Sequence, residues 1–380
     1  MRFALALMVL ALLAAAGASG AIPPTAPPCR APLPKGPAVP APLILWDSCG
    51  VFRLDPGGRV LRLPRHWLAY HGSGTGRRFG PKLRLSRTRP GAYVLRRHGR
   101  TIWRSHGLYP NDAGGVAFGP GLFAFGSYRS GVYLTDLRSP ERLVARGRGL
   151  FPLDFTRSGK LLVVGRREIT VIGSDGRPLR RFRFGRGYGF DATTDALYLV
   201  TPQNMLAEVR GTTLRLLGRA PRIAGNPIPL SPGLLAWYGT HALVVTDRTG
   251  AEVASARWSA NLGTDDFGVS PSPDGSLFAY RLSRRESDAT RGVSTVLILR
   301  RGEHAGRVLL RHEIGPMGCG IPGGFDWHDH DLLYDYGDGR IAVLEPESSE
   351  KTILTGLARS LPRRAPTEIV SVAWESGIGQ

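Results

Sequence analysis

The chain has 380 residues and a formal net charge of +20, with 50 glycines and 30 prolines. Its length allows two average domains, but no break in composition divides it. Glycine and proline together exceed their usual share, which favours many tight turns between short strands. Beyond the N-terminus no segment is long and apolar enough to cross a membrane, so we expect no transmembrane span in the mature chain.

The basic residues are almost all arginine, since only Lys35, Lys82, Lys160 and Lys351 are lysine. The codon bias of a GC-rich genome explains this skew, and we favour that explanation. The functional alternative is adhesion to an anionic surface, such as an acidic cell-wall polymer or phospholipid headgroups. Nucleic acid is not expected as a partner, because the arginines are scattered rather than clustered with aromatic residues and the protein is expected to be exported.

Residues 1–21 have the layout of a secretory signal peptide. Arg2 precedes the apolar run Phe3–Ala16, and small residues follow as far as Ala21. Cleavage is expected after Ala21, with Ala18 as the alternative. The apolar run is too short to span a bilayer comfortably, so we expect a secreted or periplasmic protein.

Residues 22–42 contain nine prolines. This composition favours an extended polyproline conformation and cannot build a packed core. We therefore predict a tether between the signal peptide and the folded domain.

A strand-forming phrase that begins with leucine then returns about every forty residues. Turns rich in proline, aspartate and glycine separate it from further strands, so each unit contains four strands. One complete unit reads FPLDF, LLVVG, REITVIG and PLRRFRF from Phe151 onward. The eight copies of the phrase begin at Leu43, Leu83, Leu122, Leu161, Leu197, Leu234, Leu277 and Leu332.

The leucine-initiated strand is apolar on both faces in most copies, as in LLVVG and LLAWY. Both faces must therefore be covered, and stacking four-stranded sheets around an axis achieves this. We predict an all-β fold over residues 43–376, a β-propeller of four-stranded blades. Eight blades are expected, with seven as the alternative. The C-terminal strand Glu368–Ser376 is predicted to pair with the N-terminal strand APLILWDS and so to close the ring.

Cys29, Cys49 and Cys319 would all enter an oxidising compartment, so at least one disulfide is expected. Counting alone leaves the three pairings open. The predicted ring places Cys49 and Cys319 on one face beside the closing seam, which favours that pair over Cys29 with Cys49.

The segment Ser270–Tyr280 reads S-P-S-P-D-G-S-L-F-A-Y. It resembles the S-P-D-G phrase of TolB-type, WD40-like β-propellers, and Arg157–Lys160 matches it in part. The resemblance implies an exported propeller that serves as a protein-interaction platform in the cell envelope. Members with fused peptidase domains exist, but this chain has no Gly-x-Ser-x-Gly motif.

The richest polar cluster is D-W-H-D-H-D at Asp326–Asp331, in which His328 and His330 are candidate metal ligands. Its alignment with the S-P-D-G turn favours a solvated turn instead, and no third ligand is evident. Weaker candidates also fall where turns or surface loops are expected. They are the glycine-rich segment His71–Gly80 and the carboxylate pairs Asp265 with Asp266 and Asp335 with Asp338.

These patterns predict an exported, monomeric, noncatalytic binding scaffold without a cofactor. It would bind a protein or an anionic envelope polymer through one face of the propeller. The alternative is a propeller hydrolase or lyase that uses loop carboxylates and histidines, with or without a metal ion.

Overall fold

The protein is described from a computed structural model. The described residues are 38–47, 50–63, 83–89, 92–97, 100–107, 113–223, 225–230, 233–259, 268–285, 292–314, 325–336, 341–348, 351–353 and 371–374. Within these ranges every helix or strand assigned is a β-strand, which confirms the predicted all-β class. The same ranges contain no helix long and apolar enough to cross a bilayer.

The described strands form eight antiparallel sheets, seven of four strands and one of three. Sheet 1 contains β1 (Leu43–Asp47), β2 (Gly50–Leu54), β3 (Val60–Leu63) and the C-terminal β31 (Ser371–Trp374). Sheet 2 contains β4 (Leu83–Arg89), β5 (Ala92–Arg97) and β6 (Arg100–Arg104). Sheet 3 contains β7 (Ala113–Gly119), β8 (Leu122–Ser127), β9 (Gly131–Thr135) and β10 (Arg142–Arg146).

The next three sheets follow the chain in order. Sheet 4 contains β11 (Phe151–Phe155), β12 (Leu161–Val164), β13 (Glu168–Ile172) and β14 (Pro178–Arg183). Sheet 5 contains β15 (Gly187–Asp191), β16 (Ala196–Val200), β17 (Met205–Arg210) and β18 (Thr213–Arg219). Sheet 6 contains β19 (Pro227–Leu230), β20 (Leu234–Tyr238), β21 (Ala242–Asp247) and β22 (Glu252–Arg257).

Two further sheets complete the set. Sheet 7 contains β23 (Val269–Pro271), β24 (Leu277–Arg285), β25 (Gly292–Arg300) and β26 (Arg307–Ile314). Sheet 8 contains β27 (Phe325–His328), β28 (Asp331–Asp335), β29 (Ile341–Leu344) and β30 (Lys351–Ile353). Each leucine-initiated phrase of the sequence lies in one strand. Its leucine is the first residue of β1, β4, β8, β12, β20 and β24 and the second residue of β16 and β28.

Neighbouring sheets contact each other through their first strands, as in β7 with β11, β15 with β19 and β23 with β27. These first strands are therefore innermost, and the fourth strands form the outer edge. The second strands β8, β12, β16 and β20 are buried on both faces, as the sequence predicted. In β12, Leu161 and Val163 pack towards sheet 3, whereas Leu162 and Val164 pack towards sheet 5.

Apolar packing joins sheet 2 to sheet 3 and continues in chain order as far as sheet 8. The C-terminal strand β31 joins sheet 8 to sheet 1, because it belongs to sheet 1 and contacts both β27 and β28. It also pairs antiparallel with β1, with Leu43 opposite Trp374 and Trp46 opposite Ser371. The predicted pairing of the two chain ends is thus present. Sheets 1 and 2 are linked by residues 64–82, which lie outside the described residues, and a closed ring of eight blades remains a prediction.

The described end of the predicted tether packs against sheet 1. Val39 and Ala41 are buried, and the Val39 amide donates to the Pro56 carbonyl at 3.2 Å. The described fold therefore begins a few residues before β1, inside the segment that the sequence assigns to the tether.

The S-P-D-G segment forms the turn between β23 and β24. The Ser272 hydroxyl donates to Asp274 Oδ1 at 2.5 Å, and the Ser276 amide donates to the same oxygen at 3.1 Å. Gly275, at φ 70°, adopts the left-handed backbone conformation that the turn requires. In the turn between β11 and β12 the Gly159 amide donates to the Thr156 carbonyl, as the Gly275 amide does to that of Ser272, but Ser158 stands in the place of Asp274.

The outer strands are exposed and basic. Each outer strand of sheets 2 to 7 meets its partner with a register shift, which is the local irregularity of a β-bulge. Bulges and charged side chains both discourage pairing of a sheet edge with another chain. The exposed arginines of these six strands are Arg100, Arg104, Arg142, Arg146, Arg180, Arg181, Arg183, Arg215, Arg219, Arg257, Arg307 and Arg311.

Candidate functional site

The two ends of each sheet carry different features. Because the strands are antiparallel, the turn between the second and third strands lies at the end where the chain enters and leaves the sheet. We call this the connector end. The opposite end carries the other two turns, and we call it the turn end. Two clefts lie beside the connection between sheets 5 and 6.

The first cleft has a volume of about 600 Å³ and an apolar floor. Leu243 and Ala256 of the floor are fully buried, and Ile223 and Val244 are half-buried beside them. The edge of the cleft is polar and exposed. Its charged or hydrogen-bonding side chains are Arg222, Thr240, His241, Glu252, Ser255 and Arg257.

The second cleft, of about 530 Å³, lies between the innermost strands β15 and β19. Arg186, Tyr188, Asn226 and Tyr238 contribute its polar side chains. Close approach of the two strands depends on Gly189, since a Cβ there would lie 1.8 Å from the Pro227 carbonyl oxygen. The sequence of β15 therefore determines how near β19 can come.

Arg186 connects the two clefts. Its guanidinium donates to the carbonyl oxygens of Pro221 and Ile223, in the connection between sheets 5 and 6. Pro221 and Ile223 line the first cleft, and Arg186 itself lines the second. One arginine thus holds the segment that separates the two clefts.

The wall of the first cleft is fixed by Trp258. Its backbone amide donates to the His241 carbonyl at 3.0 Å, and its indole Nε1 donates to the Thr240 carbonyl at 3.2 Å. The Trp258 ring lies 6.4 Å from that of Tyr280 in sheet 7. The turn between β20 and β21 is therefore anchored to the next sheet, and the cleft is largely preformed.

The clefts are electropositive. Among the described lining residues, Arg186, Arg222 and Arg257 carry positive charge and Glu252 is the one carboxylate. Burial lowers the pKa of Arg186 and raises the pKa of Tyr188. Burial also raises the pKa of Tyr238. Both tyrosine hydroxyls are consequently neutral hydrogen-bonding groups at physiological pH.

The predicted metal ligands lie elsewhere. His328 ends β27 and His330 follows in the turn to β28, so both are at the turn end of sheet 8. His328 Nε2 lies 3.7 Å from Asp329 Oδ2. Within the described part of the chain no group of three or more histidine, cysteine or carboxylate side chains is placed to hold a metal ion. The metal assignment therefore remains an untested prediction.

Several other predicted residues lie outside the described ranges. They include all three cysteines, so the pairing of Cys49 with Cys319 stays a prediction. The segment His71–Gly80 and the pair Asp265 with Asp266 also lie there, as does Asp338. Asp335 is the last residue of β28.

A second polar cluster is buried between sheets 7 and 8. The Tyr334 hydroxyl lies 2.8 Å from His312 Nε2 and 3.4 Å from the Ser294 hydroxyl. Arg281, which is only 7% exposed, also hydrogen-bonds to Tyr334. This cluster lies between the sheets rather than in a cleft, and its groups satisfy each other. We assign it a structural role.

Four-stranded antiparallel sheets that stack face to face, with their first strands innermost, define a β-propeller. Solved structures similar to this chain include BamB from Moraxella catarrhalis, with 16% identity and a TM-score of 0.41 over 81% of this chain and 95% of that one. The dihydro-heme d1 dehydrogenase NirN has 16% identity and a TM-score of 0.44 over 91% and 79%. The β-propeller domain of Myceliophteria thermophila Cps50 has 16% identity and a TM-score of 0.32 over 63% and 96%.

No protein-family profile and no curated protein sequence matches this chain. The similarity to TolB-type propellers therefore rests on the short phrase Ser270–Tyr280.

The clefts were not predictable from the sequence. Arg186, Arg222 and His241 occur in short connections without a recognisable motif, and the tertiary fold alone brings them together. The one local signal is the contrast between GYGFD in β15 and PIPL in β19. Glycine and proline there indicate a close approach of two backbones.

Proposed function

We propose that this protein is an exported, noncatalytic binding scaffold that holds a segment of a partner protein in the two clefts at the connector end. The observation that carries the proposal is the pair of adjoining clefts divided by the Arg186-held connection. Both volumes fall within the range of ligand-binding sites in proteins. Export rests on the sequence of residues 1–21, which lie outside the described residues.

The chemistry of the clefts suits a peptide segment. Protein interfaces combine a buried apolar centre with a polar edge, and tyrosine, tryptophan and arginine are enriched in them. The first cleft has such a floor and edge, and the second adds Tyr188 and Tyr238. The positive charge favours a partner segment that presents carboxylates.

Within the part of the chain that the structure describes, Ser255, His304 and Glu252 form the arrangement most like a catalytic triad. The Ser255 hydroxyl lies 3.0 Å from His304 Nδ1, and Glu252 Oε1 lies 3.3 Å from the same nitrogen. A serine-hydrolase triad needs the hydroxyl and the carboxylate on opposite ring nitrogens. With both groups on Nδ1, this geometry does not support Ser255 as an activated nucleophile.

The proposal is tested by site-specific photocrosslinking in cells that make the protein. A benzophenone amino acid replaces Arg222 at the edge of the first cleft, and in a matched variant it replaces Arg301 in an exposed turn at the turn end. We expect a discrete protein adduct from position 222 and not from position 301. Identical adducts from both positions, or none from position 222, would overturn the proposal.

A further inference from the structure

The outer edge of the propeller carries a belt of arginine. Every outer strand of sheets 2 to 7 contributes between one and three exposed arginines, and these six strands contain only two acidic residues, Glu252 and Glu313. Arginine also occurs in turns, such as Arg129 and Arg166, and in second strands, such as Arg281 of β24. By contrast, the described first strands β11, β15, β19, β23 and β27 contain no arginine.

The belt is densest on sheet 4 and continues onto sheet 5. Arg180, Arg181 and Arg183 are exposed on β14, and Arg215 and Arg219 are exposed on β18. Arginines two residues apart on a strand project from the same side at a spacing of about 7 Å. Guanidinium groups at that spacing can bind successive carboxylate, sulfate or phosphate groups in a bidentate manner.

We propose that this belt binds a flexible acidic polysaccharide, which follows the outer edge from one blade to the next. The shape of the surface favours a chain over a membrane, since a flat bilayer touches only a short sector of a convex edge. The aromatic residues disfavour single-stranded nucleic acid, which is held by stacking of bases on exposed rings. Trp103 and Phe182, the aromatic residues of the six strands, are each only 4% exposed.

The exposed arginines of the outer strands also have a purely structural explanation, which is protection of the sheet edges. Charged residues on an edge strand prevent pairing with another chain whatever their sign. Polysaccharide binding, however, requires positive charge. Reversing the charge therefore preserves edge protection and abolishes binding.

The test compares two triple variants with equal changes of charge. In the edge variant Arg180, Arg181 and Arg183 become glutamate. In the control variant Arg129, Arg166 and Arg167 become glutamate, because these three are exposed in turns between second and third strands. Binding to fluorescent heparin and to polygalacturonate fragments is measured over a series of salt concentrations, with light scattering as a check on the monomeric state.

We expect the wild-type protein to bind both polymers and to lose affinity as salt rises. The edge variant should stay monomeric and bind about tenfold or more weakly, whereas the control should change by about twofold at most. Equal losses in the two variants, or tighter binding to anionic vesicles or duplex DNA than to either polysaccharide, would overturn the proposal.

A second measurement needs no variant. Phenylglyoxal modifies exposed arginines, and peptide mapping with and without heparin identifies those that the polymer protects. Protection of Arg180, Arg181, Arg183 and Arg215 is expected. Protection confined to turn arginines such as Arg129 and Arg166 would contradict the proposed surface. The belt and the first cleft share Arg257 of β22, but the arginines tested here, on β14 and β18, line neither cleft. Failure of this proposal is therefore distinguishable from failure of the proposed protein-binding site.

Discussion

At the scale of single residues, aspartates organise the turns. The Ser272 hydroxyl, together with Ser276, lowers the pKa of Asp274 to about 2, from an ordinary value of 3.8. Hydroxyl or amide donors likewise lower the pKa of Asp191 and Asp247 in the turns of sheets 5 and 6. Each carboxylate therefore favours the folded turn as long as it is ionised.

Asp274 gives a pH-dependent prediction. Its pKa in the folded state lies below the unfolded value, so its stabilising effect is complete above about pH 4 and is lost as the pH falls towards 2. We expect Asp274→Ala to lower the free energy of unfolding by about 1 kcal/mol at pH 7, because the exposed carboxylate loses modest hydrogen bonds. Urea unfolding of both proteins from pH 7 to pH 2 should show this difference shrinking below pH 4. A difference that is constant with pH would contradict it.

Thr246 provides a test of buried polar pairing. Its hydroxyl, with the residue fully buried, accepts a hydrogen bond from the Trp237 indole Nε1 at 2.9 Å. Thr246→Val keeps the volume and leaves the indole donor without this acceptor, which should cost about 1–3 kcal/mol. Chemical denaturation measures the effect. The exposed control Thr213→Val should change stability by less than about 0.5 kcal/mol, and an equal effect in both would refute the assignment.

At the scale of elements, the contact between β15 and β19 depends on the absence of a side chain. A Cβ at Gly189 would lie 1.8 Å from the Pro227 carbonyl oxygen and 2.9 Å from Pro229 Cδ. Gly189→Ala should therefore separate the innermost strands of sheets 5 and 6, at a cost of about 3 kcal/mol or more. In the control Gly57→Ala the new Cβ has no neighbour within 4 Å. Thermal unfolding should show a large shift for the first variant only, and a small shift at Gly189 would mean that the strands are not so close.

The contact between sheets 7 and 8 is held by the cluster around Tyr334. Tyr334→Phe removes the hydroxyl that meets His312, Ser294 and Arg281, and it should cost about 1–3 kcal/mol because those groups are left inside the protein. The control is Tyr128→Phe, since Tyr128 is 59% exposed. Calorimetry should show destabilisation in the first variant alone. Equal stability of the two variants would indicate that water reaches the cluster.

At the scale of the whole molecule, the repeating phrases predicted the fold well. Strand formation in each unit follows from local patterns such as LLVVG and the S-P-D-G turn, and burial on both faces requires stacked sheets. The ends were also predictable, because a strand such as β31 without a following partner needs one elsewhere. The four-stranded sheets can therefore be predicted from the sequence.

The binding surfaces were not predictable in the same way. The clefts join Arg186 to a connection that lies more than thirty residues further along the chain, and no local pattern marks that meeting. Codon bias explained the excess of arginine at the level of the sequence, because the sequence does not show which strands are outermost. His328 and His330 were candidate metal ligands because of their local motif, yet they lie at a turn of sheet 8, away from the clefts between sheets 5 and 6.

The central claim is that one chain forms stacked blades held together where its two ends pair. Hydrogen exchange of the backbone amides of Ser371–Trp374, measured by mass spectrometry on the intact protein, tests it most directly. Pairing with Leu43–Trp46 should slow their exchange by about a hundredfold or more relative to an unfolded chain. Exchange at the unfolded rate, with Leu161–Val164 still protected, would contradict the account.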